Sequence, residues 1–132
     1  MVYSLEDIKT DLKNLSEKQF YTKHIIRSDN WYFEEYLGKN PDEVIHLIDD
    51  YRLIVSESFG VSFNSVMMVG SGKLGFSMSP PGAEHPEESK MFLPFNDDEK
   101  VRKISDLDIA IISSEILYLI FDYPHKHYTF KY

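Results

Sequence analysis

The hydrophobic period of the chain changes at Gly60, and that change restricts the fold to helices followed by a small sheet. Before it, apolar residues recur at helical spacing. Ser4 with Asp7 forms a capping-box pattern ahead of Leu5, Ile8, Leu12 and Leu15. Ser16 with Gln19 repeats it ahead of Phe20, His24 and Ile25. Residues 30–37, NWYFEEYL, read as a short helix or an ordered loop whose aromatics pack on the helix that follows. That helix is the clearest: Asn40 caps, Pro41 suits the first turn, and Asp42 and Glu43 complement the dipole. Val44, Ile48, Tyr51 and Val55 form its inner face, and Gly60 stops it.

After Gly60, the run Ser65–Val69 ends at Gly70 and reads as a buried strand, with Met67 and Met68 as core. Residues 107–112 give a second strand, and a short helical pattern runs from Ser114 to about Phe121. Between the strands, residues 76–103 have the composition of exposed loop, pinned to the body by Phe92, Leu93 and Phe95. Residues 80–90 are expected to be the most mobile part. The expectation is a single α+β domain over 1–132, with a helical part at 1–60 and the sheet in 61–132.

Composition narrows the function classes. The 132 residues include no cysteine, which excludes a disulfide framework, a thiolate metal site and a cysteine nucleophile. No apolar run approaches a membrane span, and the start, MVYSLEDIK, lacks the layout of a signal peptide; a soluble, cytoplasmic protein without membrane contact is expected. A net charge of -8 disfavours long nucleic acid as a partner, because phosphate backbones need clustered Lys and Arg. One small site can still hold a nucleotide through a metal ion.

Two segments carry chemistry: residues 69–75, VGSGKLG, and residues 105–112, SDLDIAII. Gly70, Gly72 and Gly75 match G-x-G-x-x-G, but Pro80, Pro81 and Gly82 follow where a dinucleotide fold needs a full helix. Lys73 is followed by Leu74, so the P-loop pattern fails too. What remains is a strand ending in a Gly-Ser turn, whose backbone N–H groups either cradle phosphate or simply turn the chain. On the second segment, strand alternation puts Asp106 and Asp108 on one side, about 7 Å apart. Leu107, Ile109 and Ile111 then face the core. Two adjacent carboxylates repel unless a cation intervenes, and such a pair is what Mg²⁺ uses with substrate phosphates. Alone, the pair reads equally as a solvated strand end.

Together, a strand, Gly-Ser, a connection, and Ser-Asp-Leu-Asp followed by Ile-Ala-Ile-Ile resemble the signature of the nucleotidyltransferase superfamily, the DNA polymerase β-like fold. The resemblance covers roughly residues 41–122 and is closer to small bacterial members than to polymerases. It implies a small mixed sheet under the N-terminal helical layer. It also implies that Gly70 and Ser71, with Lys73 nearby, hold the phosphates of a nucleoside triphosphate, and that Asp106 and Asp108 bind Mg²⁺ or Mn²⁺ as the catalytic pair. The activity implied is metal-dependent nucleotidyl transfer to a protein, nucleotide or RNA hydroxyl. The family's third carboxylate would have to come from Glu115, Asp122 or the insert, and the connection is longer than in many small members. The alternative is therefore a catalytically incomplete binding or regulatory module, such as an antitoxin-like partner, or a fragment of a larger enzyme. His125 and His127 read as an exposed tail, His24 and His46 as surface or boundary residues, and Arg102 and Lys103 as solvated or phosphate-facing.

Overall fold

The computed structural model describes residues 2–27, 29–80, 91–96 and 104–127. Its order is α1 (Leu5–Asn14), α2 (Glu17–Phe20), α3 (Pro41–Phe59), β1 (Val66–Val69), α4 (Gly70–Leu74), β2 (Asp108–Ile111) and α5 (Ser114–His127). This is an α+β arrangement. The sheet differs from expectation: among the described residues it is two-stranded and antiparallel, not mixed. β1 and β2 pair from Val66 with Ile111 to Val69 with Asp108. No helix among these residues is long and apolar enough to cross a membrane.

The helix starts follow from local chemistry. Ser4, Ser16 and Asn40 each accept a hydrogen bond from the N–H three residues on, and Asp7, Gln19 and Glu43 bond back. Each such cap is worth about 1 kcal/mol. Gly60 ends α3 in the left-handed region at φ 65°. Two segments leave the α-helical pattern. α2 continues as a π-helical stretch, Tyr21–Ile26, and residues 30–37 contain a second, Tyr32–Tyr36. The second is started by buried Asn30: its Oδ1 accepts from Phe33 N–H at 3.2 Å, its own N–H donates to Glu34 Oε1, and its Nδ2 donates to Met68 Sδ.

Two apolar clusters hold the layers together. Phe33, Val44, Ile48 and Met68 pack beneath Tyr51 and Ile109, joining α3 to the sheet. Ile8, Leu74 and Phe76 form the other, with Phe20, Ile25 and Phe92 against them, joining α1 to α4. Burying a side chain of the size of Ile8 contributes roughly 2–3 kcal/mol.

The connection between the strands is fastened at both ends of its described part. Phe76 bridges to Pro94, Ser77 N–H donates to the Leu93 carbonyl, and Phe95 N–H donates to the Gly75 carbonyl. Phe92 and Phe95 do pin it, Phe95 among Trp31, Tyr32 and Tyr36. Leu93 does not; it is exposed. Residues 81–90 and 97–103, including Arg102 and Lys103 and most of the stretch expected to be mobile, lie outside the described residues.

Three further expectations change. β2 starts at Asp108 rather than 107, so Asp106 precedes the strand. α5 runs on through His127 rather than ending near Phe121, so the backbone at His125 and His127 is helical. His24 is buried, with Nε2 2.8 Å from Asp11 Oδ2 and its ring against Tyr3 and Phe20. A helical apolar period cannot register such a partner thirteen positions away. His46 is exposed as expected.

Candidate functional site

The register of the sheet builds the site. Because Val69 pairs with Asp108, the residue after β1 meets the first side chain of β2. Gly70 sits there at φ 67°, in the left-handed region where a side chain is strained. A Cβ at Gly70 would fall 2.5 Å from Asp108 Oδ2, a separation no side chain tolerates without displacing the carboxylate. Glycine is thus required twice over, by the backbone and by the acid.

Asp106, in the segment before β2, and Asp108, its first residue, line one cleft together with Gly70 and Ser71. Leu107 turns the other way, onto α4, where a Cβ at Gly72 would lie 2.6 Å from its Cδ2. Ile109 packs beside the Met68 cluster, while Leu107 stays partly exposed rather than entering the core. Gly70 and Ser71 begin a one-turn helix, α4, instead of a bare turn.

The cleft has a volume of about 780 Å³. Ser77, Ser79 and Ser105 add hydroxyls to it, and Met78, Leu93 and Ile104 add apolar wall. Its floor is fixed by a reciprocal pair: Ser105 N–H donates to the Asn96 carbonyl at 2.6 Å, and Asn96 N–H donates to Ser105 Oγ at 3.0 Å. This clamp fixes the backbone one residue before Asp106. Nothing local in the sequence signals it, since Asn96 and Ser105 are ordinary loop residues until the chain folds.

Lys73 is not brought to the cleft. It is buried on the opposite side of α4, where its Nζ donates to the Arg27 carbonyl. A small hollow beside it is lined by Tyr3, His24 and Asp29. Burial pushes its ammonium down to about 8, with the Asp29 carboxylate opposing the shift. Glu115 is exposed at the start of α5. Its carboxylate accepts a hydrogen bond from Ser113 Oγ at 2.7 Å, which holds its pKa below the usual range. The carboxylates lining the cleft among the described residues are those of Asp106 and Asp108. These residues contain no group of three or more His, Asp or Glu side chains able to share a metal ion. The Asp122 side chain lies outside what is described.

The donor set suits a hard cation. Two carboxylates on one wall offer oxygen ligands, and a divalent ion with few protein ligands keeps places for water and phosphate oxygens. No protein-family model matches the chain, and no curated protein or solved structure is significantly similar to it.

Proposed function

We propose that the cleft binds a nucleoside triphosphate together with Mg²⁺ or Mn²⁺ and transfers its nucleotidyl group to a hydroxyl of a protein, nucleotide or RNA, as in enzymes of nucleotidyltransferase type. The new oxygen–α-phosphorus bond replaces the one to the β-phosphate as pyrophosphate leaves, and the hydroxyl proton is released to water. The observation that carries this reading is the approach of Gly70 to Asp108. It puts backbone free of any side chain within reach of a carboxylate pair, in one cleft with the Ser71 hydroxyl. Asp106 and Asp108 would hold the cation, and Gly70 and Ser71 would take the β- and γ-phosphate oxygens. The bound ion supplies neutralisation of the triphosphate charge and a lowered pKa at the attacking hydroxyl. The Asn96–Ser105 clamp orients the backbone that leads into Asp106. The apolar wall of Met78, Leu93 and Ile104 offers a surface for the base.

A second reading is favoured because, among the described residues, no carboxylate besides those of Asp106 and Asp108 lines the cleft. In it the cleft binds nucleotide and cation without turning them over, as a nucleotidyltransferase-like binding module. Two measurements separate the readings. Thermal melts with each nucleoside triphosphate and Mg²⁺ or Mn²⁺ should show a ligand-dependent rise, worth roughly 2.7 kcal/mol at a hundredfold excess over Kd. That rise should vanish in Asp106→Asn/Asp108→Asn. Intact mass and radiolabel transfer then report turnover. A rise with transfer supports the enzyme, and a rise without it supports the binding module. No rise with any nucleotide removes both.

A further inference from the structure

Ile112 N–H donates to the Ser65 carbonyl at 2.8 Å, so the register makes Met67 with Ala110 and Val69 with Asp108 the other hydrogen-bonded pairs. The backbone groups of Ile109 and Ile111 therefore point away from β1, along the outer edge of β2. Among the described residues no hydrogen bond reaches them there. The outer edge of β1 differs, since Tyr51 Oη accepts from Met68 N–H at 3.1 Å. Open edges are normally blunted by lysine, proline or a bulge. β2, Asp-Ile-Ala-Ile, has none of these, and its one charge stands at its start. Beyond it, Ile112 and then Leu117, Tyr118, Leu119 and Ile120 of α5 are between 54% and 72% exposed. They offer roughly 600 Å² of apolar surface per chain, against about 800 Å² per partner in a standard interface.

A second copy of this chain fits that edge. Two-fold symmetry pairs a strand with itself antiparallel, and an axis through Ala110 sets Ile109 opposite the partner's Ile111. In that register every outward N–H and C=O of Ile109 and Ile111 finds a partner. The paired side chains are β-branched and lie on the face where Ile109 packs beside the Met68 cluster. Asp108 then stands opposite the partner's Ile112, so the carboxylates do not meet, which matters for a chain of net charge -8. An axis through Asp108 would instead oppose the two acids directly. We propose that two copies join β2 to β2 into a four-stranded antiparallel sheet, with the apolar run of Ile112 and α5 adding to the interface. This dimer edge is independent of the nucleotide reading of the cleft.

Sedimentation equilibrium of the full chain over a range of concentrations should fit a monomer–dimer association. Amide hydrogen exchange locates the contact. Ile109 and Ile111 should be protected in the dimer and exchange faster on dilution, whereas Ala110, bonded to β1, should not change. Ala110→Glu and Ala110→Lys each set like charges across the axis, and each should associate several-fold more weakly than the parent. Mixed in equal amounts they should form the heterodimer, a recovery that misfolded variants cannot give. The proposal is overturned if the parent stays monomeric at every concentration, or if Ile109 and Ile111 exchange equally fast in monomer and dimer. It is overturned too if the two charged variants, folded, associate as tightly alone as when mixed. The exchange measurement on the parent decides the matter even if neither variant folds.

Discussion

Gly70→Ala tests the geometry of the cleft without touching either aspartate. The new Cβ meets two penalties. The first is backbone: φ 67° for an L-residue costs about 1–2 kcal/mol. The second is contact, because the Cβ position lies 2.5 Å from Asp108 Oδ2 and 3.4 Å from its Cβ and Cγ. The carboxylate can yield by rotating, at about 1 kcal/mol for an off-rotamer side chain. The chain carries its own controls, since Gly38 and Gly60 have φ 62° and 65° with nothing within 4 Å of an added Cβ. Gly38→Ala and Gly60→Ala should therefore show the backbone cost alone. Gly70→Ala should exceed them by about 1 kcal/mol, or some 4 °C in melting temperature. In Gly70→Ala/Asp108→Ala that excess should disappear as a non-additive term. The displaced carboxylate should also abolish the rise in melting temperature produced by nucleotide and divalent cation. If Gly70→Ala costs no more than Gly38→Ala, or if the double variant is strictly additive, the contact with Asp108 is not what the glycine serves.

Three more outcomes are expected. The Lys73 ammonium has its pKa lowered from 10.5 to about 8, so the unfolded chain binds the extra proton between those values; stability should rise across pH 8 to 10.5 by about 2 kcal/mol after allowance for residual solvent, and urea melts of Lys73→Met should lack that rise. Gly75→Ala would drive a Cβ to 2.7 Å from Trp31 Nε1, with the indole hemmed in by Tyr36 and Phe95; a loss of about 3 kcal/mol with shifted tryptophan emission is expected, and unchanged emission would refute the packing. Met68→Ala empties the centre of the cluster joining α3 to the sheet and removes the partner of Asn30 Nδ2, so chemical denaturation should show a loss of about 3 kcal/mol, whereas a loss below 1 kcal/mol would contradict that role.

What was legible in the sequence was local or periodic. Ser4, Ser16 and Asn40 announce helices because a cap involves only residues three apart. The inward face of α3, where Val44 and Ile48 are buried, follows from period alone. What could not be read depends on distant partners. Lys73 carries the charge of a phosphate ligand beside a Gly-Ser pair. The structure buries it because α4 packs on α1, and that turns the third residue after Gly70 away from the cleft. The π-helical turn Tyr32–Tyr36 follows Asn30, whose side chain reaches Met68 far along the chain. The demand for glycine at position 70 comes from Asp108, and only the antiparallel register brings the two together.

The bridge between Phe76 and Pro94 also bears on how the chain finds its fold. Pairing Val69 with Asp108 from an open coil means closing a long loop, an entropic cost of about 3 kcal/mol before any strand contact compensates. Fastening Gly75–Ser77 to Phe92–Phe95 first divides that closure into a smaller ring and a short remainder. Phe92 and Phe95 each bring an aromatic contact to that fastening, so it has its own driving force. Such an order of events makes the ring a tolerant place for added residues, since doubling its length costs only about 0.6 kcal/mol. A chain of this design can vary the length of that connection without rebuilding the pairing of β1 with β2.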